Sequence, residues 1–125
     1  GLQNSHSQKS GAFTGENSLA VAQEMGAKYS LVGHSERRAL FKESAEFLAE
    51  KVKAVQEAGL TPIYCIGETL QERQQQQTFK VLKDQITAGL KLASQSKPVM
   101  IAYEPVWAIG TGQVATTAQV AEAHQ

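Results

Sequence analysis

A short apolar run, Tyr29-Ser30-Leu31-Val32-Gly33, has two counterparts further along the chain: Pro62-Ile63-Tyr64-Cys65-Ile66 and Val99-Met100-Ile101-Ala102-Tyr103. Each run has the length and the aliphatic or β-branched content of a strand that is buried on both faces. Longer amphipathic stretches separate the runs, with Gly, Pro, Ser or Thr at the junctions. This alternation of strands and helices predicts an α/β fold with a parallel sheet.

The stretches around these runs have the periodicity and the end signals of helices. Ser44 is placed to cap one helix, and Gly59 is placed to end it. An earlier helix is expected from about Ser18 to Met25, and residues 1–4 are expected to end a further strand. Apolar residues recur at helical spacing in two stretches, at Leu48, Val52 and Val55 and then at Phe79, Leu82, Ile86, Leu90 and Ala93.

The composition is typical of one globular domain, and it argues against nucleic acid or a membrane as a partner. The 125 residues are 42% hydrophobic, and 12 basic residues balance 12 acidic ones, so no basic face is available for nucleic acid or for an anionic membrane. No apolar stretch approaches the roughly 20 residues of a membrane-spanning helix. The single Cys65 excludes an internal disulfide framework and a four-cysteine zinc site, and it suits a reducing cytoplasm.

The chemistry is expected where the strands end. Parallel strands joined by helices bring all strand carboxyl ends to one edge of the sheet, where the ligand sites of α/β proteins usually lie. Four segments are predicted to meet there: Asn4–Glu16, Gly33–Arg38, Gly67–Arg73 and Glu104–Ala115.

His34 follows the first run directly and precedes a predicted helix start. Backbone N–H groups and the positive end of the helix dipole disfavour imidazolium there, so the ring is expected to stay neutral and able to donate to a carbonyl. The alternative is a histidine that only caps or packs, which is the commoner role of an isolated histidine.

Glu104 follows the last run directly, and burial there is expected to raise the pKa of its carboxyl group toward that of a general base. The segment continues with Pro105, an apolar tip and Gly110-Thr111-Gly112. This composition is typical of a lid whose glycine N–H groups can approach an anion. Alternatively, Glu104 pairs with an arginine and the glycines only make a turn.

Four segments together resemble the triosephosphate isomerase family, in the same order from residue 1 to residue 125. They are Gly11-Ala12-Phe13-Thr14-Gly15-Glu16, Gly33-His34-Ser35-Glu36-Arg37-Arg38, Cys65-Ile66-Gly67-Glu68-Thr69 and Ala102-Tyr103-Glu104-Pro105-Val106-Trp107-Ala108-Ile109-Gly110-Thr111-Gly112. The resemblance implies a (β/α)8 TIM barrel. Residues 1–125 would be its central part, about half of roughly 250 residues, truncated at both ends and running from the end of strand three into helix six.

The resemblance also implies the chemistry and the residues that perform it. Glu104 would be the base and His34 the neutral electrophile in the interconversion of dihydroxyacetone phosphate and glyceraldehyde 3-phosphate through an enediolate. Ser35 and Glu36 would hold the resting base and the polar network around it. Within a lid over Pro105–Ala115, Ile109, Gly110 and Gly112 would lie at the phosphate, with Gly110 donating its N–H. No metal and no organic cofactor are implied.

The resemblance further implies a cytoplasmic homodimer, in which the Asn4–Glu16 loop reaches into a neighbouring subunit with Thr14 at its tip. Cys65 is expected to be a packed core thiol. Arg37 and Arg38 are candidates for binding phosphate, although ion pairing near the subunit interface is the favoured role.

Three departures from the family qualify these expectations. Gln113-Val114 replaces the common Lys-Thr of the lid, and Gln74–Gln77 replaces a stretch that often contains glycine. The family's catalytic lysine and its last two phosphate loops have no counterpart in this chain, so residues 1–125 alone are expected to show little or no turnover. Two alternatives stay open: a noncatalytic phosphate-binding or scaffold relative of the same fold, and an unrelated doubly wound ligand-binding domain.

Overall fold

The computed structural model describes all residues from Gly1 to Gln125, and it contains the predicted parallel sheet. The sheet has three strands in the order β1 (Tyr29–Val32), β2 (Thr61–Ile66) and β3 (Met100–Tyr103), and both pairings are parallel. Leu2 forms one further parallel bridge, with Ser30. The α/β architecture predicted from the sequence is therefore confirmed, with strand bounds that differ by one residue at most from the apolar runs.

Six α-helices connect and flank the strands. They are α1 (Leu19–Glu24), α2 (Ser35–Leu40), α3 (Ala45–Glu57), α4 (Leu70–Gln74), α5 (Thr78–Gly89) and α6 (Thr117–Ala123), and one turn of 3-10 helix spans Val106–Ala108. The Ser44 hydroxyl accepts the Phe47 N–H at the start of α3, and Gly59 lies just beyond its end at φ +76°, as predicted. None of the helices combines the length and the apolar character that crossing a membrane requires.

The core lies between the sheet and helices α3 and α5. Leu48, Val52 and Val55 of α3 are completely buried, and they pack in one cluster with Tyr64 of β2 and Leu82 of α5. The helical spacing of these residues is what brings them onto one face. Their burial fixes the helices against the sheet and so fixes where the strand ends point.

The two outer strands differ from the prediction that all three strands are buried on both faces, and this is clearest in β3, although Tyr29 of β1 is also 44% exposed. Met100 is 50% exposed and Ile101 is 38% exposed. The physical reason is that β3 is an edge strand and has a neighbour on one side only. β2 lies in the middle of the sheet and is buried at Tyr64, Cys65 and Ile66, as expected.

Candidate active site

The carboxyl ends of the three strands place three polar residues along one edge of the sheet. His34 comes two residues after β1, Glu68 two residues after β2, and Glu104 directly after β3. The parallel register brings the end of β2 beside the end of β3, with Ile66 opposite Tyr103. The structure thus brings these residues to one edge of the sheet, as the sequence predicted.

His34 is the N-cap of α2, and this role orients its ring. Its Nδ1 accepts the Glu36 N–H at 3.2 Å, so Nδ1 has no proton and the neutral ring bears its hydrogen on Nε2. Nε2 lies 3.3 Å from Glu104 Oε2. The ring thus presents an N–H group toward the carboxylate at the end of β3.

Glu104 is held by the first turn of α2. Its Oε1 accepts the Ser35 N–H at 2.8 Å, and the Ser35 hydroxyl lies 3.5 Å from Oε2. The Glu104 side chain keeps 18% of its surface exposed and that of His34 keeps 32%. Both groups are therefore sheltered but open to a small molecule. Glu104 makes no ion pair with an arginine, which was the alternative that the sequence left open.

Glu36 occupies a different position from Ser35. Its backbone N–H donates to His34 Nδ1. Its side chain is exposed and takes no part in the hydrogen bonds to Glu104. The resemblance groups Glu36 with Ser35, and in this structure Glu36 contributes a backbone N–H to the arrangement.

The segment after Glu104 has a fixed base and a free tip. Trp107 is buried, and the Thr111 hydroxyl donates to its carbonyl oxygen at 2.7 Å. Gly110 and Gly112 are exposed at φ +67° and +76°, and a Cβ on either would meet no atom within 4 Å. Ile109 is also exposed. The tip of the segment is therefore exposed to solvent, and the backbone N–H groups of Gly110 and Gly112 are accessible.

Glu68 anchors the base of that segment, and sequence reasoning assigned it no role. Its completely buried carboxylate accepts hydrogen bonds from Trp107 Nε1 at 3.1 Å, Tyr103 Oη at 3.0 Å and Arg73 Nη1 at 2.9 Å. Burial and then the charge of Glu68 raise the pKa of Tyr103 to about 12, which keeps its hydroxyl protonated as a donor. The signal available in the sequence was that Glu68, like Glu104, follows a buried strand.

Cys65 and Arg38 lie behind the site. The Cys65 thiol is buried, and burial together with the charge of Glu104 raises its pKa to about 12, although Arg38 partly opposes this. The prediction of a packed thiol agrees with this placement. Arg38 donates to the carbonyl oxygens of Gly33 and Cys65 at 2.7 and 2.8 Å. Its guanidinium thus ties the end of β1 to β2 instead of pairing with a carboxylate.

A closed ring of five side chains holds the ends of the Asn4–Glu16 loop. Asn4 donates to Glu16, Arg37 donates to both Glu16 and Glu43, and Lys51 donates to both Glu43 and Asn4, with donor–acceptor distances from 2.7 to 3.3 Å. We call these five residues the Asn4 ring. The predicted ion pairing of Arg37 is confirmed.

The Asn4 ring determines the charge state of Glu43. Burial opposes its ionisation, but the hydrogen bonds and charges of Lys51 and Arg37 outweigh burial and lower the pKa of Glu43 below its ordinary value.

Thr14, within the Asn4–Glu16 loop that the ring holds, is exposed. No group of three or more His, Cys, Asp or Glu side chains is arranged to hold a metal ion.

Comparison with known proteins matches the entire chain to one family. The family model for triosephosphate isomerase covers residues 1–125. A triosephosphate isomerase of Bdellovibrio bacteriovorus is 59% identical over 124 residues, which are 99% of this chain and 52% of the relative. Those of Syntrophotalea carbinolica and Aspergillus oryzae are 52% and 49% identical, each over 98% of this chain and 49% of the relative. The chain spans about half the length of the curated relatives it matches.

Proposed function

The chain belongs to the triosephosphate isomerase family, and on that premise we propose that the whole protein interconverts dihydroxyacetone phosphate and glyceraldehyde 3-phosphate. The observation behind this proposal is the pairing of His34 Nε2 with Glu104 Oε2 at 3.3 Å, at the carboxyl edge of a parallel sheet. A neutral N–H donor and a carboxylate base are the two groups that proton transfer beside a carbonyl requires.

In the proposed reaction, Glu104 removes a proton from the carbon next to the substrate carbonyl. The electrons of the broken C–H bond form the enediolate, and the Nε2–H of His34 donates to the oxygen on which negative charge develops. Glu104 then returns the proton to the former carbonyl carbon, while His34 gives its Nε2 proton to the oxygen of that carbon and takes up the proton of the neighbouring hydroxyl, so a carbonyl forms at the first carbon and no atom is gained or lost. Supporting this role, the bond from the Glu36 N–H to Nδ1 leaves Nε2 as the ring nitrogen that bears the hydrogen, facing Glu104.

Ser35 is proposed to hold the base before substrate arrives. The bond from its N–H to Glu104 Oε1 defines one position of the carboxylate, from which it must move to reach a substrate carbon. Glu36 contributes its backbone N–H to the same turn. Any further role of the Glu36 side chain is proposed from the family resemblance alone.

The Pro105–Ala115 segment is proposed to close over the substrate. Its base is fixed through Trp107, while Ile109, Gly110 and Gly112 lie at an exposed tip. A free Gly110 N–H is a suitable donor to the substrate phosphate. Closure excludes water and so limits loss of phosphate from the enediolate.

We further propose that residues 1–125 are the central part of a single (β/α)8 barrel. The exposed apolar residues Met100 and Ile101 on β3 favour a further strand beside it, since barrels close by pairing their edges. In this proposal the lysine and the two remaining phosphate loops of the family lie outside residues 1–125, and this segment alone has little or no turnover.

The proposed setting is a glycolytic and gluconeogenic enzyme of the cytoplasm that acts as a homodimer. The Asn4–Glu16 loop would reach into the partner subunit with Thr14 at its tip. In support, Phe13 and Phe41 are exposed although apolar, and both lie on the side of the molecule that bears this loop. Surface apolar residues of this kind are typical of subunit contacts.

The test is the isomerisation rate of the full-length protein and of its Glu104→Gln variant. We expect turnover by the unaltered protein and a loss of roughly 100- to 10,000-fold in kcat with Glu104→Gln, the range for removing a general base. Glu57→Gln, at an exposed carboxylate on α3, is the matched control and should leave kcat unchanged. A folded full-length protein without turnover would favour the noncatalytic alternative.

A further inference from the structure

Gln85 of α5 makes two hydrogen bonds to the backbone of one residue just beyond the end of β2, Gly67. Its Oε1 accepts the Gly67 N–H at 2.9 Å, and its Nε2 donates to the Gly67 carbonyl oxygen at 3.1 Å. Gly67 is the first residue beyond β2, so it lies where the strand ladder ends. The side-chain amide of Gln85 thus acts on Gly67 as a neighbouring strand would.

The helix that bears Gln85 is itself fixed to the same strand. The hydroxyl of Tyr64, a completely buried residue of β2, donates to the Gln85 carbonyl oxygen at 2.9 Å. Gly89 lies directly against the Tyr64 ring, because a Cβ at this position would overlap ring atoms. This close approach leaves Gln85 little freedom to move relative to the end of β2.

Gly67 in turn lies against the main chain of Glu104. A Cβ on Gly67 would overlap the Glu104 carbonyl oxygen, so only glycine permits this approach. The Glu104 N–H donates to the Ile66 carbonyl oxygen at 2.8 Å. The backbone of Glu104 is therefore held from one side by Ile66, the last residue of β2, and by Gly67, which follows it.

We propose that Gln85 is a positioning residue for the reaction of Glu104. By holding the N–H and the carbonyl group of Gly67, its two bonds fix the two peptide groups that flank Gly67, and so the backbone of Glu104 that lies against them. This inference rests on the proposed isomerase function. Gln85 itself contacts neither Glu104 nor His34 through its side chain, and it acts only through Gly67. Misplacing a catalytic group by about 1 Å costs roughly 100-fold in rate, so a small rotation of the Gly67 backbone that shifts Glu104 is expected to lower the rate strongly.

The experiment uses the full-length protein with Gln85→Met, which keeps the length of the side chain and removes both bonds. Gln85→Asn, which is one methylene shorter and cannot make both bonds, is a second variant. We expect kcat per folded molecule to fall at least about ten-fold with KM within about two-fold, since the site for substrate is untouched. We also expect a larger primary deuterium isotope effect, because transfer of the proton to Glu104 becomes slower.

Gln56→Met is the matched control. Gln56, like Gln85, uses its side-chain amide to bind backbone groups. Its buried side chain bonds to the backbone of Ser94, Lys97 and Pro98, which precede β3, whereas Glu104 follows β3. A purely structural loss should lower the stability of both Met variants, but only the Gln85 variants should change kcat and the isotope effect.

Two results would overturn the inference. One is wild-type kcat and isotope effect in both Gln85 variants, and the other is an equal loss of kcat in Gln56→Met. If the unaltered full-length protein shows no isomerase turnover, the proposed function fails and this inference fails with it. Turnover in the unaltered protein together with unaffected Gln85 variants overturns the positioning role alone.

Discussion

Two consecutive backbone N–H groups in the first turn of α2 orient both side chains of the candidate site. The Ser35 N–H binds Glu104, and the Glu36 N–H binds His34. Groups at this point of a helix have no partner within the helix, so they are free to bind side chains. One short turn therefore sets the position of the proposed base and the tautomer of the proposed electrophile.

Replacement of Ser35 by proline tests the first of these N–H groups. Ser35 is the first residue of α2, where helices accept proline, and His34 at φ −51° and ψ 142° has the extended conformation that precedes proline. Ser35→Pro should therefore fold, yet it removes the N–H that holds Glu104. Without this N–H the carboxylate has no fixed starting position beside the substrate, and misplacing a catalytic group by about 1 Å costs roughly 100-fold in rate, so we expect kcat of the full-length protein to fall roughly ten-fold or more.

The control for this change is Ser35→Ala, which keeps the N–H and removes only the hydroxyl contact at 3.5 Å. We expect less than about a three-fold effect, because a contact of that length is weak. Equal losses in the alanine and proline variants would show that the hydroxyl, and not the N–H, positions the base.

The reactivity of Cys65 follows from its surroundings. Burial and the charge of Glu104 raise the pKa of the thiol to about 12, so almost no thiolate exists at pH 8. Iodoacetamide should alkylate Cys65 at least about a thousand-fold more slowly in the native protein than in urea, as measured by peptide mass spectrometry. Rapid native labelling at this residue would contradict the buried placement.

At the scale of elements, the end of β2 connects the parts of the site. Ile66 and Gly67 hold the backbone of Glu104, and Glu68 holds the base of the proposed lid, Pro105–Ala115, through Trp107. The guanidinium of Arg73 also lies 5.0 Å from the centre of the Trp107 ring. The middle strand thus supports a residue on β3 and the segment that follows it.

Glu68→Gln is predicted to loosen the lid segment. The amide nitrogen would face donors such as Arg73 and Thr78, leaving a buried polar group without a partner. We expect protease cleavage within Pro105–Ala115 of the full-length protein to be roughly ten-fold faster than in the unaltered protein, because local opening becomes easier. Glu57→Gln serves again as the surface control, and equal cleavage rates in all three proteins would contradict the anchoring role.

Local features of the sequence predicted the elements well, and features that depend on distant contacts were harder to predict. The strand runs and the helix ends at Ser44 and Gly59 depend on neighbouring residues, and the structure has them where expected. The exposure of β3 depends on sheet order, which no local pattern specifies. Likewise, Gln85 reaches Gly67 across 18 positions of sequence. Its role becomes visible only when α5 packs on β2.

For the molecule as a whole, the Asn4 ring joins the loop before α1 to helices α2 and α3. Within the ring, Glu43 lies between the two cations and accepts hydrogen bonds from both Arg37 and Lys51 at 2.7 Å. Because the buried cation of Lys51 has its charge balanced there, the ring couples the stability of the fold to the ionisation of one carboxylate.

Glu43→Gln should lower the free energy of unfolding at pH 7 by roughly 3–5 kcal/mol, the cost of removing one partner from a buried ion pair. The pKa of Glu43 is lower in the folded state than its ordinary 4.5, so the contribution is complete above about pH 4.5. It is lost as the pH falls further, through the lowered value. Urea unfolding of both full-length proteins from pH 7 to pH 3 should therefore show a difference that shrinks below pH 4.5. A difference that is independent of pH would contradict the ionised ring.

The central claim is that Glu104 and His34 transfer a proton through an enediolate, and conversion of dihydroxyacetone phosphate by the full-length protein in D2O tests it most directly. A proton held on Glu104 exchanges with solvent before it returns. We predict that NMR of the product, trapped as it forms, shows deuterium at carbon 2 of glyceraldehyde 3-phosphate, and that Glu104→Gln abolishes both conversion and labelling. Rapid conversion to a product without deuterium, or undiminished labelling by Glu104→Gln, would contradict the account.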